Sequence, residues 1–304
     1  MGIYQQIQKN KINTVLLFTF FIFLIAAVVY TTAFFLDPEA AYIFTGIAII
    51  ATFVGSFFSY FYSDRMLLKM ANARPVAKEK EPYLYHTIEG VAIAAGIPTP
   101  KAYVIETDVP NAFATGRNPE NSAVAVTRGL MKMLNREELE GVVAHEMAHI
   151  KNYDILYTTI AIVLTGTLVY MSRILNRMFL FGGRGSSGGR GGGGKVIIML
   201  VVGIITLIIA PLAAKMAQMA ISRNREYLAD ATAANMLGYP NGLASALEKL
   251  GKLNDPVKAE QAGFANEANA GLFIVNPLAK NINAESFFST HPPITKRVDR
   301  LRNM

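Results

Sequence analysis

Asn135 to Asp154 reads NREELEGVVAHEMAHIKNYD. It opens with start chemistry for a helix. An asparagine side chain can accept the free N–H groups of a first turn, and Glu138 stands three positions on, as in a capping box. The spacing predicts a helix from Arg136 through Asn152. On it, residues four apart are neighbours on one face. His145 and His149 can therefore offer two imidazole nitrogens to one ion, at about 2.0–2.1 Å each for zinc. Glu146 stands at the flank of that face, where it can reach an ion-bound water without being a ligand. H-E-x-x-H is a short pattern with a real false-positive rate. Here it is embedded among Val142, Val143, Ala144 and Ile150, and a third ligand is available.

That ligand is Glu226, in Arg225-Glu226-Tyr227-Leu228-Ala229-Asp230. A second helix is expected from about Lys215 to Leu237, stopped by Gly238 with Pro240 beyond. The first helix leads into an apolar run that starts at Ile155, and the second leaves a run that ends at Ala214. A hairpin returns the chain to the side it left, so His145, His149 and Glu226 meet on one face. Asp230, one turn after Glu226, suits the part of an acceptor behind a ligand imidazole. Asp154 is an alternative for that part, and Asp230 is an alternative third ligand.

The chain has 304 residues and no cysteine, so any transition metal must be held by His, Asp or Glu. Its only histidines are His86, His145, His149 and His291. Three ligands leave a fourth position for water, as a catalytic zinc requires. The expected cofactor is one Zn2+ per chain, with Glu146 as general base. His291, in Ser289-Thr290-His291-Pro292-Pro293, is the remaining histidine able to donate to an oxyanion. Its alternative reading is a loop histidine stiffened by two prolines. His86 has no motif around it and reads as a helix-face residue.

Composition places this chemistry at a membrane. Hydrophobic residues make up 52% and charged residues 17%, against about 25% charged in soluble domains. Thr14 to Leu36 is 23 residues without a charge, and Ala41 to Tyr62 is 22. The first, at about 34 Å as a helix, is long enough for a bilayer core and too long for the apolar part of a signal peptide. Lys9 and Lys11 precede the pair, Arg65, Lys69, Arg74, Lys78 and Lys80 follow it, and Asp37 and Glu39 lie between. Both outer flanks are expected in the cytoplasm. The net charge of +7 fits such flanks, and nucleic acid is not an expected partner.

A second apolar pair spans 155–171 and 196–214. Gly182 to Lys195, GGRGSSGGRGGGGK, lies within its connection and reads as a flexible linker. Gly189 to Lys195 mimics a phosphate loop but lacks the following Ser or Thr and a preceding strand. The favoured reading is a spanning hairpin. Arg173, Arg177, Arg184, Arg190 and Lys195 in the connection run against the charge rule, so partial penetration or packing on the soluble part stays open. The expected organisation is 1–62 a transmembrane hairpin, 63–154 the first part of a catalytic domain, 155–214 the second hairpin and 215–304 the second part. In the soluble part, Glu81 to Ala95 reads as a helix ending at Gly96. Lys101 to Glu106 reads as a strand, and Asn111 to Thr115 with Ser122 to Thr127 as a hairpin turning over 116–121.

Several stretches together resemble the HtpX-type bacterial membrane zinc metalloproteases, related to the CAAX-prenyl endopeptidases. They are the N-terminal hydrophobic hairpin, NAFATG (Asn111 to Gly116), VTRGLM (Val126 to Met131), AHEMAHIKNYD (Ala144 to Asp154), SRNREYLAD (Ser222 to Asp230) and STHPPITKR (Ser289 to Arg297). The resemblance implies a mainly α fold with a small β-sheet (α+β), a polytopic membrane protein with a gluzincin-like domain. It implies that His145, His149 and Glu226 bind zinc and that Glu146 is the base. It places Asn111, Ala112 and Phe113 on a cleft-edge strand where an extended substrate adds. It further implies misfolded membrane proteins and unfolded polypeptides as substrates, cut on the cytoplasmic side of the bacterial inner membrane under stress. Arg297 matches a basic position of the family. The oligomeric state is not legible. Two alternatives remain: a non-catalytic metal-binding membrane protein, and a prenyl-protein processing peptidase with the same chemistry.

Overall fold

The computed structural model describes residues 3–161, 223–252, 274 and 292–304. Two long helices come first, α1 (Ile3–Leu36) and α2 (Ala41–Met70). Both outrun the uncharged stretches, because the flanking Lys, Arg, Gln and Met residues are themselves good helix formers. Between them the Asp37 carboxylate accepts the N–H groups of Glu39 and Ala40 at 3.1 and 3.2 Å. Ile7–Thr31 and Ala41–Met70 are long and apolar enough to cross a membrane. Phe23 is 71% exposed and Phe53 64%; large apolar side chains left bare on both helices suit a lipid solvent better than water.

The chain divides into two compact units. Of the described residues, one unit holds Ile12–Phe61 with 160–161, and the other holds 3–11, 62–159 and those from Arg223 onward. In the second unit, α3 (Pro82–Ala95) ends as expected at Gly96, whose φ of +67° only glycine adopts without strain. A four-stranded mixed sheet follows, in the order β1 (Arg74–Pro75), β2 (Lys101–Ile105), β4 (Asn121–Thr127), β3 (Ala112–Asn118). β2 runs parallel to β4, and the other two pairings are antiparallel.

The hairpin departs from expectation. Gly116, Arg117 and Asn118 belong to β3, not to the turn. An irregularity between Gly116 and Asn118 absorbs the extra residue, and Gly116 takes φ +137° there. The Asn118 side chain accepts the Asn121 N–H at 2.9 Å, closing a turn of only two residues.

α4 (Arg128–Met133) starts on Thr127, whose hydroxyl accepts the Leu130 N–H. α5 (Arg136–Lys151) has the full capping box: the Asn135 side chain accepts the Glu138 N–H at 2.9 Å, and Glu138 accepts the Asn135 N–H at 2.8 Å. Among the described residues from Arg223 onward lie α6 (Arg223–Leu237), α7 (Asn241–Gly251) and α8 (Ile294–Arg302). Helical backbone also covers 154–161; the rest of the second apolar pair and the glycine-rich stretch lie outside the described residues. One apolar core joins α3, α5, α6, α7, α8 and one face of the sheet, with Ile88, Val124, Met147 and Leu247 fully buried in it. α5 and α7 approach so closely that a Cβ on Gly141 would meet the Leu243 nitrogen at 2.5 Å, and one on Gly242 would meet the Glu137 carbonyl oxygen. This rigid pair fixes the axis on which the site is built.

Candidate metal centre

His145 and His149 lie one turn apart near the end of α5, their rings almost perpendicular with centroids 4.7 Å apart. Their Nε2 atoms face each other at 3.2 Å. α6 brings Glu226 against both: Oε2 is 3.6 Å from His145 Nε2, and Oε1 is 3.6 Å from His149 Nε2. One donor atom from each of the three lies within 4.8 Å of the others. Tetrahedral zinc with bonds of about 2.0–2.1 Å holds its donors about 3.3 Å apart. Two imidazoles and a carboxylate, gathered at that spacing in a buried place, fit zinc in number, chemistry and distance.

The other ring nitrogens are engaged. His145 Nδ1 meets Asp230 Oδ1 at 3.0 Å, and His149 Nδ1 meets Asp154 Oδ2 at 3.1 Å. Asp154 and Asp230 were alternatives in the sequence; the fold gives each imidazole its own carboxylate. Such a partner fixes the tautomer and leaves Nε2 free to ligate. Asp230 is also clasped by Arg297, with Nε to Oδ2 at 2.9 Å and a terminal nitrogen to Oδ1 at 2.7 Å. Arg297 is 1% exposed, and a second terminal nitrogen lies 3.4 Å from Glu226 Oε2. Its position had a signal in the sequence: Ile294, Val298 and Leu301 set the buried face of α8, and Arg297 falls on it.

Burial and the Arg297 charge oppose protonation of His145, yet hydrogen bonds to Asp230 and Glu226 and the Asp230 charge lift it to about 9. Burial likewise opposes protonation of His149, which Asp154 and Glu226 raise. Burial works against ionisation of Asp230, but the Arg297 charge and the bonds to His145 and Arg297 hold it below the usual carboxylate range. These acidic neighbours attract a proton and a divalent cation alike, so the two compete for the same imidazoles.

Glu146 is 3% exposed. Burial pushes its carboxyl up and Glu226 adds to the rise; the two imidazoles and a backbone hydrogen bond from Ala114 oppose it. That bond ties the carboxylate to β3. Asn111 O accepts the Thr127 N–H, so odd residues pair with β4 and even ones face the open edge. On that edge Ala112 O accepts the Ile274 N–H at 3.3 Å, and Arg297 donates to Ile274 O at 3.4 Å. Asn111, Ala112 and Phe113 are all buried; Ala112 joins the core shared with the metal-site helix, and Phe113 packs with Leu68 and Ala71 in a separate cluster. His291 lies outside the described residues. His86 is on the exposed face of α3, its Nδ1 3.1 Å from Glu89, as its lack of a motif suggested.

Residues 78–304 match the model of peptidase family M48. The chain belongs to that family. It is a metalloprotease, and the non-catalytic alternative falls with that membership. A protease HtpX homolog of Dictyoglomus turgidum is 42% identical over 301 residues, 99% of this chain and 94% of that protein. One of Streptococcus agalactiae serotype III is 42% identical over 310 residues, 99% and 100% of the two chains. One of Pyrococcus furiosus is 45% identical over 255 residues, 84% of each. The crystal structure of S. mikatae Ste24p superposes with a TM-score of 0.50 at 17% identity, over 97% of this chain and 66% of that one. The chain thus spans about two thirds of the length of that structure, and the likeness is one of fold.

Proposed function

We propose that this M48 peptidase is a membrane-embedded zinc endopeptidase that cleaves misfolded or damaged membrane proteins and unfolded polypeptides on the cytoplasmic side of a bacterial inner membrane. The observation that carries the reading is the pair of Nε2 atoms 3.2 Å apart with a Glu226 oxygen 3.6 Å from each. His145, His149 and Glu226 would hold one zinc per chain, and Asp230 and Asp154 would orient the two imidazoles. Bound there, zinc supplies Lewis acidity, lowering the pKa of a water towards neutrality and polarising a scissile carbonyl. Glu146 takes the proton of the attacking water and hands it to the leaving amine. Its burial suits this, because a carboxylate with a raised pKa is a better base near neutral pH. His291 is assigned the second donor to the oxyanion.

An extended substrate would add along the edge of β3 at Asn111, Ala112 and Phe113. The contact between Ala112 O and the Ile274 N–H supports this, since that carbonyl already takes a peptide N–H, and Arg297 holds the next carbonyl. A substrate would replace Ile274 there. Recognition through backbone groups makes broad specificity the expectation. Residues 1–62 and 155–214 are assigned to membrane hairpins, and 63–154 with 215–304 to the catalytic domain.

Purified protein should contain one zinc. Glu146→Gln should keep it and lose cleavage of a casein-like substrate by at least about 10²-fold, while Glu226→Ala should lose the zinc. Undiminished cleavage by Glu146→Gln would overturn the mechanism.

A further inference from the structure

The turn after α5 does more than end a helix. Asn152 and Asp154 are almost fully buried, and Tyr153 between them takes φ +59°. That reversal brings Asp154 back onto the helix it follows, so its Oδ2 meets His149 Nδ1 at 3.1 Å. A buried carboxylate needs donors on its other oxygen as well. Oδ1 receives one from far away in sequence: Asn10 Nδ2 donates to it at 2.7 Å and to the Asn152 carbonyl at 3.0 Å. Asn10 is fully buried and lies on α1, the first of the two membrane-type helices. Arg225 Nε stands farther off, 3.7 Å from Oδ1. A neutral amide is well suited here. It fixes the carboxylate in direction without cancelling the charge that makes Asp154 useful to the imidazole. The span that matches the family begins at residue 78, so Asn10 falls outside it.

We propose that Asn10 is a positioning residue of the metal centre: its side-chain amide sets the Asp154 carboxylate that orients His149, so the start of the first apolar helix is part of the site. The inference rests on the zinc-site reading above. A purely structural tie has its own marker in the next residue. Lys11 Nζ lies 4.6 Å from the Tyr153 ring centre and so holds the same helix to the same turn through the ring.

The test uses the full-length protein in detergent, with zinc affinity measured by chelator competition and the visible spectrum of the cobalt-loaded form as a second readout. Asn10→Ala and the near-isosteric Asn10→Leu should weaken zinc binding by about 10–100-fold and alter the cobalt spectrum. Asp154→Ala should lose at least as much, and adding Asn10→Ala to it should cost nothing more. Lys11→Ala should bind zinc within about twofold of the unaltered chain, since it leaves Asp154 untouched. Circular dichroism of each apo variant checks folding, and the leucine form serves if the alanine form does not fold. Unaltered affinity in both Asn10 variants, or a loss that adds in full to that of Asp154→Ala, overturns the proposal while leaving the zinc site standing. An unaltered chain that takes up no zinc overturns both.

Discussion

At His145 and His149 the two ring nitrogens have separate work. Each Nδ1 is tied to an aspartate, 3.0 Å away for His145 and 3.1 Å for His149, and each Nε2 faces the other ring. The carboxylates that orient the rings also raise their affinity for protons, His145 to about 9. Below that pH, zinc has to expel the His145 proton in order to bind. Affinity is therefore expected to fall as pH is lowered, about tenfold per unit for each displaced proton. His149, also raised, steepens the fall. Chelator competition at stepped pH measures this directly, and an affinity flat between about pH 6 and 8 would contradict the coupling. The same residues mark what was readable. The histidine pair and Glu226 follow from helical spacing and a returning hairpin. Which aspartate serves which imidazole does not, because Asp154 depends on the left-handed Tyr153 and Asp230 on the packing of α6 against α5.

Among the elements, α5 is the one whose position matters most, and it is held on two sides. Its start is locked by the capping box, and Lys249 of α7 adds a 2.7 Å ion pair to Glu138. Its middle is held by backbone approach to α7 at Gly141 and Gly242. Gly141→Ala forces a methyl against the Leu243 nitrogen, which neither helix can yield without moving the core. The expected cost is about 1–3 kcal/mol, the range for overpacking, less the gain in helix propensity. Thermal denaturation in detergent should show a clear drop in midpoint, and an unchanged or higher midpoint would mean the two helices can part freely. The capping box, the stop at Gly96 and the strand at Lys101–Ile105 are local signals and were legible. β1 was not, since two residues carry no periodicity. Nor were α4, α7 and α8, which are short segments fixed by the surfaces they cover.

For the whole molecule, the basic flanks and the acidic connection support the proposed arrangement of the first hairpin, in which Lys9, Lys11 and the residues after α2 face the cytoplasm and Asp37 to Glu39 face the other side. The chain has no cysteine, so single cysteines report position without background. In intact cells or right-side-out vesicles, Glu39→Cys should react with a membrane-impermeant maleimide, and Lys80→Cys should react only after permeabilisation. The reverse pattern would place the catalytic domain outside the cytoplasm.

The amino-acid order alone determined that two lipid-length apolar stretches precede a helix carrying H-E-x-x-H, and it pointed to Glu226 as the distant carboxylate that joins the two imidazoles. Those conclusions need only spacing and hydropathy, which act over a few residues at a time. Tertiary structure alone decided the outer layer of the centre: Arg297 closing on Asp230 across 67 residues of chain, and Asn10 reaching Asp154 across 144. A buried charge or amide finds its partner only when folding removes water from both, and no local pattern records which two will be left together.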